Sequence, residues 1–576
     1  MSSPLPSLIP ADEPGCSTYL PSCSWVTPIL TDMYQLTMTY AYWKGGRQDD
    51  NAVFDLYFRK NPFGGEFTIF AGLEECIRFV QSFRFSKKEI DYLRELMPSC
   101  DSAFFDYLAS LDCSGLSIYA IAEGTVVFPR VPLLRIEGPL AIGQLLETTL
   151  LNLTNFSSLI CTNAARLRIA AGADKKLLEF GLRRAQGPDG AMTASRYAYM
   201  GGFDGTSNVA AGLSFGITPK GTHAHSYVSA HVKLDDLKTR MLKVNPKNIP
   251  SGYKEGDERN LVSLAMQYKS ELNFSIASLG ELAAFCSYAM AFPDNFLALV
   301  DTYDTLQSGV PNFICVALAL LQCGFSPNGI RLDSGDLAYL SKESRRMFIE
   351  ADKKYGTNLQ SCVIVASNDI NEAVLLALND QTHSIDTFGI GTNLVTCQAQ
   401  PALGMVYKLV EINNEPRIKL SQEAAKITIP GRKDAYRLVG SEGVPILDLI
   451  IRKGESPPVI KRRVLCRHPF EEKKRAFVTP SIVIPLLRVV WRGKNAKNFD
   501  FDTDNSIDKP SSTTNMRAPF PSLIQLRDFV GSQLALLRED HMRLMNPTPY
   551  KVSVTTDLFH YINDLMMKEL PIAELE

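Results

Sequence analysis

Short apolar runs that end in acidic, amide or glycine residues recur in the middle of the chain, and stretches with helical spacing separate them. The clearest are FLALVDTYDT, GIRLDSGDL, CVIVASNDI and IDTFGIGTN, which lie between residues 296 and 393. Strands and helices that alternate every ~20–40 residues indicate the βα units of a parallel sheet or barrel. We therefore predict an α/β fold in which residues 156–400 form an irregular TIM-like α/β barrel.

The residues before this region predict an N-terminal α+β domain over residues 25–155. The segment TDMYQLTMTYAYW has helical spacing, with Thr31 as its predicted N-cap, whereas AVFDLYFRKNPF and TVVFPRVPLLRIEGPL have the pattern of strands. Residues 79–108 are predicted to be helical. The segment LLNLTNFSSLICTNAARLRIAAG is predicted to be one long helix that ends at Gly172.

The residues after the barrel are rich in predicted strands: GMVYKLVEI, RIKLS, PILDLIIR and VIPLLRVVW. Two helices are predicted near residues 520–545 and 555–566. Residues 401–576 therefore form either a third domain or strands that pack on the N-terminal domain and complete it. A Pro- and Ser-rich tail over residues 1–24 and a polar loop over residues 493–516 are predicted to be flexible. Residues 237–258 form a second insert.

Composition limits the partners and the compartment of the protein. The chain has 576 residues, 45% of them hydrophobic, and a net charge of −2, so no global field attracts nucleic acid or an anionic membrane. The 12 cysteines include neither a CxxC pair nor a cluster with zinc-site spacing. We expect reduced, mostly buried thiols and, because no secretion signal is recognisable, a cytosolic location.

The run FGLRRAQGPDGAMTASRYAYMGGFDGTSN, residues 180–208, combines two arginines with several glycines. The planar guanidinium groups of Arg183 and Arg184 suit phosphate or carboxylate oxygens, and glycine lets backbone N–H groups approach a ligand. The loop GTHAHS follows and carries His225 among small residues. An accessible imidazole can act as an acid, a base or a nucleophile near neutral pH. The sequence therefore predicts an anion-binding region beside one reactive histidine.

Two further groups of residues follow predicted strands. The turn GIGT places Gly389, Gly391 and Thr392 where backbone amides and a hydroxyl can hold a sugar phosphate. Four carboxylates follow two neighbouring strands and could hold Mg²⁺, which would bridge pyrophosphate oxygens, or could flank a ribose. Alternatively, some of them only cap helices, and Asp336 is the strongest candidate for that role. The four are Asp301, Asp304, Asp333 and Asp336.

Segments between Thr31 and residue 490 resemble those of nicotinate phosphoribosyltransferases and occur in the same order. The resemblance implies an enzyme that joins nicotinate to 5-phosphoribosyl-1-pyrophosphate (PRPP), with Mg²⁺ or Mn²⁺ as cofactor and with ATP hydrolysis. The products are nicotinate mononucleotide, pyrophosphate, ADP and phosphate, in the first step of NAD salvage from nicotinate. The matching segments are TDMYQLTM, FRKNPF, EGTVVFP, NAARLRIAAG, FGLRRAQGPDG, GGFDGTSN, GTHAHS, LVDTYDTLQSG, GIRLDSGDL, SNDINE, FGIGTNLVT and PGRK.

The resemblance also implies roles for individual residues. His225 matches the histidine that ATP phosphorylates during the cycle, and the nicotinate-binding residues are Tyr34, Thr222 and Arg331. Members of this family are generally homodimers in which the tyrosine of TDxYxLT reaches the neighbouring subunit's site. One departure is His223, which stands at a position that is usually apolar in the family.

The phosphates of PRPP would be held by a second set of residues: Thr392, Gly389, Gly391 and Arg183. Asp301 and Asp333 are implied as supporting acidic residues near Mg²⁺, although no metal ligand is assigned with certainty. The insert at residues 237–258 follows closely after the histidine loop, so it could alter access to the site.

Several other functions share part of this pattern. Nicotinamide phosphoribosyltransferase acts on the same sugar, but a neutral amide gains less from Arg331 than a carboxylate does. Quinolinate phosphoribosyltransferase is a much shorter chain. A relative that binds PRPP without turnover and a sugar-phosphate aldolase or isomerase barrel also remain open, although no lysine ends a strand where a Schiff base would need one.

Overall fold

The computed structural model describes residues 21–569, except residues 422, 424, 425 and 497–519. It contains two compact units: residues up to Asn163 together with those from Ala399 onward form the first, and Ala164–Gln398 form the second. Most of the predicted tail at 1–24 and of the predicted loop at 493–516 therefore lies outside the described residues. The predicted long helix is confirmed as Glu147–Ala171, and it is followed by Gly172 in the left-handed region, with a φ of 90°.

The first unit contains a six-stranded antiparallel sheet built from both ends of the chain. Asn51–Phe58 lies at its centre and pairs with Leu134–Pro139 on one side and with Met405–Ile412 on the other. The C-terminal strands thus complete the N-terminal sheet. The strand order is Glu415–Pro416, Met405–Ile412, Asn51–Phe58, Leu134–Pro139, Ser117–Ala120 and Arg488–Arg492.

A second six-stranded sheet of this unit is formed by C-terminal residues alone. Its order is Arg475–Val478, Val464–Arg467, Lys551–Val554, Pro445–Arg452, Lys433–Val439 and Ile482–Pro485. Thr68–Ile69 and Val126–Val127 form a short separate ribbon. The remaining helices of the unit are Met33–Lys44, Leu73–Ser82, Lys87–Leu96, Ser102–Ser110, Leu140–Leu145, Leu523–Ala535, Glu539–Met542 and Thr556–Glu569.

The second unit is built on a six-stranded parallel sheet, which confirms the predicted βα units. We label its strands β1 to β6 in chain order: Lys176–Glu179, Gly205–Thr206, Leu297–Leu299, Gly329–Leu332, Val363–Ala366 and Thr387–Ile390. The spatial order is β3-β4-β5-β6-β1-β2. The larger helices are Gly187–Met200, Val209–Phe215, Leu261–Glu271, Leu279–Ala291, Val310–Gln322, Leu337–Tyr355 and Glu372–Gln381.

The sheet is a half-barrel, since β3 and β2 lie at its two edges and are not paired with each other. The mixed α/β class is therefore confirmed, and the closed TIM-like barrel is not. Two short helices, His225–Ser229 and Thr392–Thr396, lie in loops at the carboxyl ends of strands. The insert at 237–258 contributes the hairpin Met241–Lys243 with Glu258–Asn260, and Arg259 binds the Gln322 carbonyl and side chain at the end of a neighbouring helix.

Three local predictions are wrong. The first helix begins at Met33 with Asp32 as its N-cap residue; the Asp32 carboxylate accepts a hydrogen bond from Thr148, and the Thr31 hydroxyl caps nothing. The segment RIKLS is not a strand. The helix predicted at 520–545 is broken between Leu523–Ala535 and Glu539–Met542, because Ala535 is followed by a turn.

Within the described residues, one helical run, Thr305–Gln322, is long and apolar enough to cross a membrane, and 72% of it is buried inside the fold. Burial accounts for its composition, because core helices are apolar on every side. Nine of the eleven cysteines in the described part of the chain are buried, as predicted.

Candidate active site

The polar side chains at the carboxyl ends of the parallel strands surround two adjoining cavities of the second unit. The larger has a volume of about 520 Å³ and the smaller about 380 Å³. Parallel strands end at one edge of a sheet, so residues far apart in sequence meet there. Both cavities are lined by Phe180, Arg183, Arg331 and Asp333.

Arg331 is the central cation of this site. It stands on β4, 19% exposed, where its Nε donates to Ser367 Oγ at 2.7 Å and one terminal nitrogen donates to Asp333 Oδ1 at 2.9 Å. Its guanidinium carbon lies 5.4 Å from the centre of the Phe180 ring. These contacts fix the guanidinium plane between an aromatic ring and a carboxylate, with its remaining N–H groups available to a ligand.

Asp301 follows β3, and its side chain is 2% exposed. Its Oδ2 accepts hydrogen bonds from the backbone amide of Asp333 and the hydroxyl of Ser334, at 3.0 and 2.5 Å. Its Oδ1 is buried without a hydrogen-bond partner. A buried carboxylate oxygen in that state needs a proton, a cation or a donor from a ligand to offset the lost hydration.

His225 begins the short helix His225–Ser229, and 44% of its side chain is exposed. Its Nδ1 lies 3.1 Å from Thr302 Oγ1. Its Nε2 lies 3.9 Å from Asp301 Oδ1 and 3.8 Å from Asp333 Oδ2. Asp301 and Asp333 therefore face the same ring nitrogen and orient the imidazole toward the cavity.

Three of the predicted phosphate-binding residues lie on the wall of the larger cavity: Gly389 within β6, and Gly391 and Thr392 directly after it. Thr392 opens the helix Thr392–Thr396, and its Oγ1 accepts a hydrogen bond from Arg184 at 3.3 Å. Arg183 lines both cavities. Two guanidinium groups, a hydroxyl and a glycine backbone are therefore gathered at one end of the cavity, which is a suitable environment for a phosphate group.

Comparisons with known proteins agree with this geometry. The model of the nicotinate phosphoribosyltransferase (NAPRTase) N-terminal domain matches residues 29–155, and that of the C-terminal domain matches residues 432–562. The chain is 53% identical over 573 residues to the nicotinate phosphoribosyltransferase of Dictyostelium discoideum, covering 98% of this chain and 92% of that protein. It is 41% identical over 553 residues to the human enzyme of that name, covering 94% and 97%.

This chain belongs to the nicotinate phosphoribosyltransferase family. The crystal structure of human nicotinic acid phosphoribosyltransferase is similar to it with a TM-score of 0.79 at 39% identity, covering 93% of this chain and all of that chain. The predicted family and enzyme class are thus confirmed.

The other nicotinate-site residues of the prediction lie in different places. Thr222 lines the smaller cavity together with His225. Tyr34 belongs to the first unit, on helix Met33–Lys44, and is 48% exposed. Partial burial, with Glu147 and Asp32 nearby, raises the pKa of its phenol above the usual value. The phenol is therefore protonated at neutral pH and able to donate a hydrogen bond.

The glycine-rich run at residues 180–208 does not form one continuous loop in the structure. Residues 187 and 190 lie in the helix Gly187–Met200, and Gly205 begins β2. Of this run, Phe180, the turn Leu182–Arg184 and Ser207 line the cavities. Packing requires Gly205, where an added Cβ would lie 2.9 Å from the Thr218 carbonyl oxygen, whereas Gly187 has open space around it and a φ of 75°.

Asp304 and Asp336 cap helices. Capping was the alternative role predicted for some of the four carboxylates, with Asp336 as the strongest candidate. Asp304 Oδ1 accepts from the amide of Gln307 at 2.7 Å, and Asp336 Oδ1 accepts from the amide of Tyr339 at 3.0 Å. Asp301 and Asp333 alone therefore face the site. Within the described part of the chain, no group of three or more His, Cys, Asp or Glu residues could hold a metal ion.

Sequence reasoning missed three residues of the site: Phe180, Thr302 and Ser367. Phe180 lies near the end of the apolar run before Arg183. Alternation along a strand does not distinguish a residue that faces a ligand there from one that packs in the core. Ser367 follows β5 directly, and Thr302 lies three residues after β3, next to Asp301. A rule that counted every polar residue at a strand's carboxyl end would have found both.

Proposed function

We propose that this protein transfers the phosphoribosyl group of PRPP to the ring nitrogen of nicotinate, releasing pyrophosphate, and that ATP hydrolysis drives the transfer. The observation that carries the proposal is Arg331, held between Phe180 and Asp333 in a cavity that Thr392, Gly389 and Gly391 also line. Relatives named for this reaction at 41–53% identity support it.

The pyridine subsite consists of Phe180, Arg331 and Thr222. A nicotinate ring would pack against the Phe180 face, and its carboxylate would accept hydrogen bonds from the unused N–H groups of Arg331. The ring nitrogen would then point toward the sugar. Nicotinamide lacks the negative charge, so the same cation favours nicotinate over the amide.

The phosphate subsite consists of Thr392, Gly389, Gly391 and Arg183. The 5-phosphate of PRPP would lie against the backbone and the hydroxyl after β6, where Arg184 already donates to Thr392. Holding the phosphate at a fixed distance from the pyridine subsite aligns the C1 carbon of the ribose with the attacking nitrogen. The bond from C1 to pyrophosphate breaks as the bond to nitrogen forms.

The acidic pair fits a Mg²⁺ ion that accompanies the polyphosphates. Mg²⁺ commonly uses one or two carboxylates together with substrate phosphates, and Asp301 Oδ1 and Asp333 Oδ2 offer two such oxygens beside His225. When bound, the ion would neutralise charge on pyrophosphate oxygens. Without it, Asp301 and Asp333 also stabilise positive charge that develops at C1 of the ribose.

His225 is the proposed site of phosphorylation. A ring nitrogen attacks the terminal phosphorus of ATP, the bond to the bridging oxygen breaks, and ADP leaves with that oxygen. Water later cleaves the phosphorus–nitrogen bond and yields phosphate. The carboxylates of Asp301 and Asp333 stabilise the positive charge that the phosphorylated ring carries while its second nitrogen is protonated.

Further properties of this proposal concern the assembly and the fold. The proposed enzyme is a cytosolic homodimer in which Tyr34 of one chain reaches the site of the other. Its parallel sheet forms an irregular TIM-like barrel when the segment after β2 fills the open side. A bridge between Thr206 and Pro219 supports this reading.

The experiment that tests the function is a product assay with PRPP and Mg²⁺, offering nicotinate or nicotinamide, with and without ATP. Nicotinate mononucleotide as the product, with a yield that rises when ATP is hydrolysed, is the expected result. Turnover of nicotinamide alone would assign the protein to the sister reaction. Binding of PRPP without any product would overturn the catalytic proposal.

A further inference from the structure

The segment that leads to His225 follows the open edge of the half-barrel at β2. Thr206 forms a parallel bridge with Pro219, and the amide of Lys220 donates to the Thr206 carbonyl at 2.8 Å. Glycine at 205 leaves room for this approach. The backbone of residues 219–220 is therefore attached to one edge of the sheet, three residues before His223.

The opposite edge of the sheet is β3, and its outward amide is bonded to a side chain. Val300 donates to the Arg331 carbonyl of β4 at 3.1 Å, so the amide of the preceding residue, Leu299, points to the other side. Among the described residues no strand pairs with β3 on that side. The Leu299 amide instead donates to Nε2 of His223 at 3.3 Å.

His223 is held rigidly in this position. Its residue surface is 8% exposed, and its ring packs against three aromatic rings. Burial, together with the nearby Arg331 guanidinium, lowers the pKa of the imidazole to about 4. At neutral pH the ring is therefore uncharged, and Nε2 keeps the lone pair that the Leu299 amide requires. The three rings belong to Tyr227, Phe285 and Tyr288.

We propose that His223 is a positioning residue that fastens the histidine loop across the open side of the half-barrel. The loop is attached to β2 through its backbone and to β3 through this side chain. His225 lies two residues after His223, and Asp301 lies two residues after Leu299. One hydrogen bond between the two segments therefore sets the approach of His225 Nε2 to Asp301 Oδ1, which are 3.9 Å apart.

Substitution of His223 by Gln or Asn tests which imidazole nitrogen accepts the hydrogen bond, because the two amide side chains reach different distances. In His223→Gln the side-chain oxygen reaches the place of Nε2, whereas in His223→Asn it reaches only that of Nδ1. His223→Leu keeps an apolar group of similar size and removes the acceptor. His231→Gln is the control, since His231 lies just after the short helix His225–Ser229 and its Nδ1 lies 3.0 Å from the Tyr227 carbonyl oxygen.

The first measurement needs no substrate and does not depend on the proposed function. Hydrogen exchange of peptides that cover Leu299 is followed by mass spectrometry in the full chain. Loss of a buried hydrogen bond should speed exchange of that amide about tenfold or more in His223→Leu and His223→Asn, but not in His223→Gln or the control. Equal protection in all four variants would overturn the proposed bond.

The second measurement rests on the proposed function and tests the catalytic consequence. Formation of phosphohistidine from ATP in a single turnover should slow about tenfold in His223→Leu, with the KM for nicotinate changed less than twofold, and His223→Gln should restore the rate. Unchanged phosphorylation in His223→Leu, or equal rescue by Asn and Gln, would overturn the positioning role. A wild-type chain that forms no product would instead contradict the proposed reaction, while the exchange result would stand.

Discussion

The ring of Phe180 occupies the space that a side chain at Gly389 would need. A Cβ added at that position would overlap two ring carbons of Phe180 and would also lie 3.2 Å from the Cβ of Ser367. This close approach lies between β6 and the end of β1. The one contact therefore positions both Phe180 and the glycine turn proposed to bind phosphate. The glycine is therefore required by packing, apart from any contact with phosphate.

Gly389→Ala should destabilise the protein and displace Phe180. An extra methyl in a packed site costs about 1–3 kcal/mol, and a shift of Phe180 should raise the KM for nicotinate more than that for ATP. Denaturant unfolding and steady-state kinetics measure the two effects. Gly221→Ala, where an added Cβ has no atom within 4 Å, is the control for stability. Equal stability of the two variants would contradict the packing argument.

Substitution of Asp301 should affect turnover, whereas substitution of Asp336 should affect stability. Asp301→Asn keeps one oxygen to accept from Asp333 and Ser334 but loses the charge beside His225, so turnover should fall about 100-fold or more with little change in unfolding. Asp336→Ala removes a helix cap and should cost about 1 kcal/mol of stability while turnover changes less than twofold. The reverse pattern, with Asp336 essential for turnover, would show that the acidic pair is wrongly assigned.

Loss of His225 should uncouple the reaction from ATP. In His225→Ala the ring that accepts the phosphoryl group is gone, so ATP should no longer raise the yield of product, although transfer from PRPP should continue slowly. Labelling with γ-³²P-ATP should give an acid-labile phosphoprotein in the wild type and none in this variant. His231→Ala should still be labelled. Label retained in His225→Ala would place the phosphorylation elsewhere.

Replacement of Arg331 by lysine should affect nicotinate selectively. Lysine keeps the charge but lacks the planar pair of donors and the two bonds to Ser367 and Asp333, so the KM for nicotinate should rise about 10- to 100-fold. The KM for nicotinamide should change much less. Arg346→Lys, on an exposed helix position, is the matched control. A uniform rise for both pyridines would indicate that Arg331 orients the site and does not bind the carboxylate.

Glu281 should make the stability of the protein depend on pH. Burial raises the pKa of its carboxyl from 4.5 to about 7, although Ser308 and Asn312 donate hydrogen bonds to it. Since the unfolded chain releases this proton first, stability should fall as pH rises from 4.5 to 7 and then level off. Glu281→Gln should remove this loss of stability, which is about 3 kcal/mol between pH 4.5 and 7. Melting temperatures between pH 4.5 and 8 measure it, and parallel curves for both proteins would refute the assignment.

Much of the second unit follows from local pattern. Each βα unit of residues 296–393 is visible as an apolar run that ends in polar residues, because a buried parallel strand is apolar on both faces and stops where its side chains meet solvent. Asp301, Asp333 and Thr392 were recognisable for that reason, whereas Arg331, which lies inside β4, was indicated only by the resemblance to the family. Phe180 was not, since an apolar residue at a strand end looks the same whether it faces the core or a ligand.

The sequence by itself determined the family, the parallel strands and the chemical groups of the site, because motif order, periodicity and residue type are local properties of the chain. Only the tertiary structure decided that C-terminal strands complete the N-terminal sheet, since pairing between Asn51–Phe58 and Met405–Ile412 joins residues that are 347 to 360 positions apart. It also decided which aspartates cap helices and which face His225. Those outcomes depend on the register and the end-point of each strand, which packing of the whole fold sets and no short segment encodes.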